Sequence, residues 1–428
     1  MINRIKLFYY NHKTWFYNLE YIFLSFILMI VVTLIDLRII PIQEYLPDII
    51  TMDISLSRSI LTTLAGSLLT ITTFTFSTIL VILNMYASSF TPRVVENFVN
   101  RKITMKVLGI YIGGFFYCIT TLLVMQDFFE YQHLISGTVA IVYSIICIIY
   151  FVRFVQAVIS NFQGVNLVYS ISEEAKKVIA NEVEERTTSP EDKVQEYGNI
   201  LLKSSDSGYL GMMDAERMLD LLKDKKGVID VKVKIGEYVS EETVLARIHL
   251  PNERLEEEDL ERFNACFILQ DKKISTSNYR YNLTKLLEIA LRALSPGIND
   301  PNTAIHCINK IGVLLLPLAK TDLYHIQRAA LEGAEVFYSS YSFGEDLEHL
   351  YVPLIEYGKT DLSVIKGIIK SFYILYESST AKNKALICEL VEHIEQKISP
   401  LLVTDLEKKI FYQELKLFDQ KTEECEMA

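Results

Sequence analysis

The 428-residue chain contains no Cys-x-x-Cys pair, no His-Glu-x-x-His, no Gly-x-Ser-x-Gly, no Walker loop and no dinucleotide-binding glycine fingerprint. Each of these motifs places a nucleophile, a metal-bound water or a phosphate cradle at a fixed spacing. Without them the chain is read as non-enzymatic, with no catalytic residues, no metal and no cofactor. The six cysteines (Cys118, Cys147, Cys266, Cys307, Cys388, Cys425) have no paired spacing, which excludes a disulfide framework and a zinc site as readings. The histidines are dispersed, and His306 and Cys307, as sequence neighbours, point to different sides of a helix. Glu345 and His349 would share a face only in a helix, and their segment, with Glu348, is read as a solvated loop. Basic residues are also short: Lys+Arg number 42 against 53 Asp+Glu, for a net charge of −11, which argues against nucleic acid as a partner.

What the chain has is apolar surface. Half of its residues are hydrophobic and its mean hydropathy is positive, both high for a soluble protein. The apolar stretches lie before about residue 172 and the charge lies after it; residues up to 160 carry about +2 and the remainder about −13. This division predicts a membrane protein: a four-helix transmembrane domain over 1–172, followed by a cytoplasmic α+β domain. The latter comprises a helical connector (173–225), a small β-rich subdomain (226–270) and a helical domain (271–428). Its acidity argues against anionic lipid as a partner for that half.

A bilayer core about 30 Å thick needs roughly 20 apolar helical residues. Four stretches qualify, at about 15–36, 60–86, 107–126 and 131–153. The first lacks a cleavage pattern and reads as a retained anchor. The second has no charge between Ile60 and Arg93, a run of about 33 residues or about 50 Å of helix, so it must tilt, break or project. The third carries Gly109, Gly113 and Gly114, which let helices approach closely. The fourth stays uncharged past Arg153 to Glu173 and reads as a helix leaving the membrane. Lysines and arginines before the first span, between the second and third, and after the fourth place both termini in the cytoplasm. Glu20 and Asp36 sit at span ends within reach of water. No span carries a buried charge pair, which favours a passive pore, or no transport, over an ion-coupled carrier.

The second span is unlike its neighbours. Thr63, Ser67, Thr70, Phe74 and Ser77 recur at steps of four, three, four and three, and so share one helix face. Thr62, Thr73 and Thr75 spread around the rest. Serine and threonine bond the carbonyl a turn back and are cheap in lipid, so the plain reading is a helix-to-helix contact. The functional alternative is that this face lines a water-filled path in an oligomer, with Phe74 as an apolar constriction. Ser88, Ser89, Pro92 and Arg93 follow in Ser-Ser-Phe-Thr-Pro-Arg. They read as an interfacial bend with a snorkelling arginine, or alternatively as a hinge.

In the second half, Ile171 to Leu222 is mostly helical in pattern, with a polar break at 186–193, a turn around Gly208 and a helix start near Asp214. Ile229, Val231, Val233 and Ile235 alternate with polar residues and predict a strand. The pattern from Gly227 to Leu245 resembles half of a lipoyl- or biotinyl-type sandwich. It lacks the lysine that such carriers modify, so it is read as a structural β insert rather than a carrier module. From Tyr281 onward the pattern is helical again, including the stretch from Thr321 to Tyr341, with Asp322, Asp361 and Asp405 near helix starts.

Ser295, Pro296, Gly297, Asn299, Asp300 and Pro301 fall between two of these helices. Gly297 is expected in the left-handed conformation of a helix C-terminus, with Asp300 capping the next helix and Pro301 in its first position. They read as a structural corner. Residues 290–304, with Thr-Phe-Thr-Phe-Ser (73–77), Ser-Ser-Phe-Thr-Pro-Arg (88–93) and Gly-Gly-Phe-Phe-Tyr (113–117), resemble the bacterial predicted-membrane-protein family catalogued as domain of unknown function 2254. Asn302 and Thr91 depart from the residues expected there. The resemblance implies a bacterial membrane protein and carries no agreed activity. The combined expectation is a multi-pass inner-membrane homo-oligomer whose second span lines or abuts an ion-permeable path, its cytoplasmic half serving assembly and gating. The alternative is a non-conducting scaffold or sensor that binds a cytosolic partner. The partners implied are the lipid bilayer, further copies of the chain and ions.

Overall fold

The computed structural model describes residues 13–40, 42, 47, 50–89, 102–125, 133–161, 164–188, 198–222, 227–250, 255–271, 278–329 and 333–427. The chain divides into two compact units, Met1–Asn166 and Leu167–Ala428.

Among the described residues, four helices build the first unit: α1 (Lys13–Asp36), α2 (Ile54–Ser89), α3 (Lys102–Val124) and α4 (Ser136–Asn161). Their apolar sequences leave only helix as a way to pair every backbone amide out of water. Helix α3 is the centre and packs on the other three. Its glycines explain why: a Cβ on Gly113 would stand 2.3 Å from Ser25 Oγ on α1, and one on Gly114 would stand 2.6 Å from Tyr143 Cε1 on α4. The Tyr143 hydroxyl, seated beside them, donates to the Ile110 carbonyl at 2.9 Å. Leu61, Val107, Tyr111, Tyr117 and Leu134 are fully buried in this core. At the end where α1 finishes and α2 and α4 begin, a two-residue ladder joins β1 (Met52–Asp53) to β2 (His133–Leu134).

Helix α2 runs unbroken for 36 residues, about 54 Å, which removes a break between Ile54 and Ser89 from the options for this span. Ser88 and Ser89 are still helical, while Pro92 and Arg93 of the expected bend lie outside the described residues. Past Arg153, α4 ends at Asn161 and a separate helix, α5 (Gly164–Glu185), begins.

Among the described residues, five helices rather than four are long and apolar enough to cross a membrane. The fifth, α9 (Pro301–Ala319), belongs to the second unit, where it packs on α8 (Tyr279–Ala293) and α11 (Leu362–Ser378). Cys307, Ile308, Ile311 and Leu315 of α9 are fully buried. The core helix of a bundle is apolar on most sides, so composition alone does not separate it from a span.

The second unit is α+β. A six-stranded mixed sheet has the order β3 (Arg186–Thr187), β10 (His325–Ala329), β11 (Glu335–Ser339), β6 (Val228–Val231), β8 (Val244–Leu250), β4 (Gly198–Lys203). All its pairs are antiparallel except β11 with β6. A three-stranded sheet has the order β7 (Tyr238–Val239), β5 (Gly208–Met213), β9 (Phe267–Gln270). Short helices α6 (Ala215–Leu221) and α7 (Glu257–Asn264) accompany the sheets, and Met218 and Phe263 are buried with Ile229, Val231, Ala246 and Ile248. The remaining helices, α10 (Phe343–Gly358), α11, α12 (Ala381–Ile398) and α13 (Asp405–Met427), form a bundle with α8 and α9.

Four expectations are corrected here. Residues 198–213, read as part of a helical connector, are strands, because they pair with β8 and β9. Residues 325–329 and 335–339, in a stretch read as helical, form β10 and β11: pairing of β11 with β6, about a hundred residues earlier, overrides the local preference of residues such as Ala329 and Glu335. Glu345 to His349, read as a solvated loop, form the first turns of α10, whose start is a capping box made by Ser342 and Glu345. Asp322 caps no helix; it accepts the Thr380 hydroxyl at 2.6 Å, while Asp214 and Asp361 do cap α6 and α11.

Candidate functional site

Leu61, Ala65, Leu68, Ile79 and Ile82 turn the buried face of α2 toward the first unit's core. Thr63, Ser67, Thr70, Phe74 and Ser77 are all exposed on the other side, and Phe74 is 61% exposed. Thr62, Thr63, Gly66, Ser67, Thr70, Ile71 and Phe74 line a shallow groove of about 650 Å³. The hydroxyls of Thr63, Ser67 and Thr70 donate to carbonyls four residues back, at 2.8, 2.8 and 2.9 Å. Thr62 and Thr73 do the same. Thr75 differs: it is fully buried, and its hydroxyl has no partner among the described residues. Fold and sequence thus combine to give a membrane-length helix an outward face that is small, polar and internally hydrogen-bonded. Exposed Leu69, Phe76, Leu80 and Val81 flank it.

Asp36 was expected to reach water, but it is fully buried at the end of α1. Its carboxylate accepts the amides of Ile135 at 2.8 Å and Ser136 at 3.3 Å, and so caps the start of α4 from a hundred residues away. The available sequence signal was an acid closing one apolar stretch and a Ser-Gly pair opening another. Nothing in the sequence says that the two ends meet.

In the second unit the corner residues form a tight connection from α8 to α9. The Asp300 carboxylate accepts the Thr303 amide at 3.1 Å and the Thr303 hydroxyl at 2.6 Å, which hold its pKa below the usual carboxylate value. Pro301 occupies the first turn of α9. The left-handed residue is Asn299, with φ 51°, and Gly297 is not in that region. This corrects the expected role of Gly297. The turn closes on the Ser295 carbonyl, which accepts both the Ile298 and Asn299 amides at 3.0 Å, so the positive φ falls two residues later than expected. Pro296, Gly297 and Asn299 are exposed, and a Cβ on Gly297 would meet nothing within 4 Å.

A second buried polar group went unseen in the sequence. Arg186, its side chain 1% exposed, donates to Glu182 at 3.0 Å, the Tyr279 hydroxyl at 3.3 Å, the Leu323 carbonyl at 3.0 Å and the Tyr341 carbonyl at 3.1 Å. The Tyr279 hydroxyl in turn donates to the fully buried Asp346 carboxylate. Arg280 lies 3.5 Å from Asp346 and stacks 3.9 Å from the Tyr341 ring centroid. Burial pushes the Asp346 carboxyl up to about 6 against the opposing pull of Arg280, Tyr279 and Arg186. Burial and the Asp346 charge also hold the Tyr279 phenol well above its ordinary value. His349, on the same helix, meets the Thr284 hydroxyl at 3.0 Å. Among the described residues no group of three or more His, Cys, Asp or Glu is placed to hold a metal ion.

A bundle of membrane-length apolar helices preceding an α+β unit is the layout of a multi-pass integral membrane protein. The chain belongs to the family described as Predicted membrane protein (DUF2254), whose model matches residues 11–373. It is similar to an uncharacterized protein of Mycobacterium bovis, 23% identical over 336 residues, covering 73% of this chain and 62% of the relative. An uncharacterized protein of Mycobacterium tuberculosis matches to the same extent, 23% over 336 residues with 73% and 62% covered. The chain thus spans about 62% of the length of the curated relatives it matches. No solved structure matches it.

Proposed function

We propose that the protein is a homo-oligomer of the bacterial inner membrane in which the hydroxyl face of α2 lines or abuts an ion-permeable path between copies. The observation that carries this reading is the outward exposure of Thr63, Ser67, Thr70 and Ser77 on a membrane-length helix whose opposite face is fully committed to its own bundle. A polar face gains little from hydrocarbon, and more from water or from another copy. Phe74 is the constriction of that path. Both termini and the acidic second unit lie in the cytoplasm, a reading supported by the basic residues before the first span, between the second and third, and after the fourth. That unit assembles the oligomer and gates it, and the reading assigns it no catalytic step.

The rival reading is a non-conducting scaffold or sensor. Its support is that the stripe's hydroxyls already bond their own helix, which makes them inexpensive against lipid or a neighbouring helix. Mass measurement in detergent and bilayer current recordings separate the two. The pore reading expects an oligomer, with conductance altered in both Phe74→Ala and Ser77→Leu. A clean monomer, or currents identical to wild type in both variants, overturns it.

A further inference from the structure

At the end of the first unit where α1 and α3 begin and α4 finishes, Lys106 is the one charged residue in the apolar window Met105–Val124. It is half-buried. Its ammonium stands 5.7 Å from the Tyr21 ring centroid on α1 and 5.4 Å from the Tyr150 ring centroid on α4, within cation–π reach of both. Among the described residues no carboxylate pairs with it: only the two phenols answer its charge, and Glu20, beside Tyr21, is exposed and makes no ion pair. Neither phenol hydroxyl donates to another described residue. Arg153 follows Tyr150 by three residues toward the end of α4, is exposed, and also has no carboxylate partner among the described residues. One turn deeper along the same helices, Leu24 on α1 and Ile146 on α4 are exposed apolar residues.

We infer that Lys106, with Tyr21 and Tyr150, binds the phosphate of an anionic phospholipid headgroup, with Arg153 adding positive charge at the edge of the site. An ionisable side chain within a membrane-length helix is costly unless it has a partner, and here three helices bring together an ammonium and two phenol O–H donors with no anion among them. Phosphate oxygens accept from all three, and the ammonium makes those bonds charge-assisted. The phosphate comes from a lipid rather than from solution because Lys106 lies one residue inside the apolar window, and because the exposed surface a turn deeper, at Leu24 and Ile146, is a bed for an acyl chain. Basic pockets between spans recognise lipid headgroups in this way. Snorkelling to water would also satisfy a lysine, but it requires no rings from two other helices. A zwitterionic lipid sets its own cation against Lys106 and Arg153, so the site selects lipids of net negative charge. The site involves α1, α3 and α4 and not the exposed stripe of α2, so it stands or falls independently of the conduction reading.

The test uses the full chain in detergent, unfolded thermally while phosphatidylglycerol, phosphatidylcholine or inorganic phosphate is added at matched concentrations. Binding to the folded state alone raises Tm with ligand concentration. The expected result is a saturable rise with phosphatidylglycerol that phosphatidylcholine and inorganic phosphate do not reproduce. Lys106→Gln moves its midpoint to about tenfold higher lipid, and Lys106→Arg, which keeps the charge, restores most of the response. Tyr21→Phe and Tyr150→Phe keep the rings, remove the hydroxyls and each raise the midpoint about fivefold. Should Lys106→Gln fail to fold, the two phenylalanine variants decide alone. No rise with phosphatidylglycerol, an equal rise with phosphatidylcholine or with inorganic phosphate, or a phosphatidylglycerol response that none of these variants alters, overturns the proposal and leaves Lys106 as a lysine held by its two rings.

Discussion

Asn299 carries the left-handed backbone of the corner between α8 and α9, and both it and Gly297 are solvent-exposed. A Cβ at a positive φ costs roughly 1–2 kcal/mol, less for asparagine, whose short polar side chain offsets part of it. Asn299→Ala should therefore lower the stability of the second unit by about 1 kcal/mol, and Asn299→Gly should leave it near wild type. Gly297 has open space around its would-be Cβ and no positive φ. Gly297→Ala should be neutral or raise stability by about 0.4–1 kcal/mol, because it restricts only the unfolded chain. Thermal unfolding of the three variants checks the order. A glycine variant more damaging than Asn299→Ala would contradict the geometry. The presence of a corner was legible from Ser-Pro-Gly and Asp-Pro, and Asp300 with Pro301 named the start of α9. Which residue turns left-handed was not legible, because it depends on which amides the Ser295 carbonyl accepts.

At the scale of elements, glycines separate faces that touch the rest of the chain from faces that do not. Gly113 on α3 meets Ser25 Oγ and the Tyr21 carbonyl, so Gly113→Ala must push α1 away and should cost about 1–3 kcal/mol in detergent unfolding. Gly66, within the exposed stripe of α2, meets nothing within 4 Å in the single chain. Gly66→Leu is thus tolerated by an isolated chain, and any loss of oligomer on its introduction reports a second copy packed on that face. Mass measurement of the variant in detergent reads this directly; an oligomer of unchanged size and stability would mean that no second copy packs against Gly66. The apolar helices of the first unit were legible because a charge-free run of this length has only one stable form in lipid. The strands at 198–203, 325–329 and 335–339 were not. Their pairing partners lie far away in sequence, and local residues such as Ala329 and Glu335 favour helix as readily as strand.

At the scale of the whole chain, two units stand on different physics: one is held by helices that fit each other at glycines, the other by a sheet and a bundle joined through buried charge. The joint consists of Arg186 on β3, Tyr279 and Arg280 on α8, Asp346 on α10 and Tyr341 just past β11. None of these residues announces itself in the sequence, since the network exists only once β11 has paired with β6 and brought Tyr341 beside α8. Asp346 gives the joint a pH signature. Burial raises its folded carboxyl to about 6, above the ordinary 3.8, so the folded state holds the proton more tightly than the unfolded state does. The resulting contribution to stability is fully present below about pH 4, is lost as pH rises through 6, and is absent above that. Asp346→Asn cannot titrate. The stability difference between wild type and Asp346→Asn should therefore shift in favour of the variant by roughly 3 kcal/mol from pH 4 to pH 7, and be flat above it. Asp346→Ala, which removes the acceptor of the Tyr279 hydroxyl and the carboxylate paired with Arg280 in a buried site, should be destabilised by about 3–5 kcal/mol at pH 7. Denaturant unfolding across that pH range measures both. A difference between wild type and Asp346→Asn that does not change with pH would show that Asp346 is ionised throughout, and that its two arginines outweigh its burial.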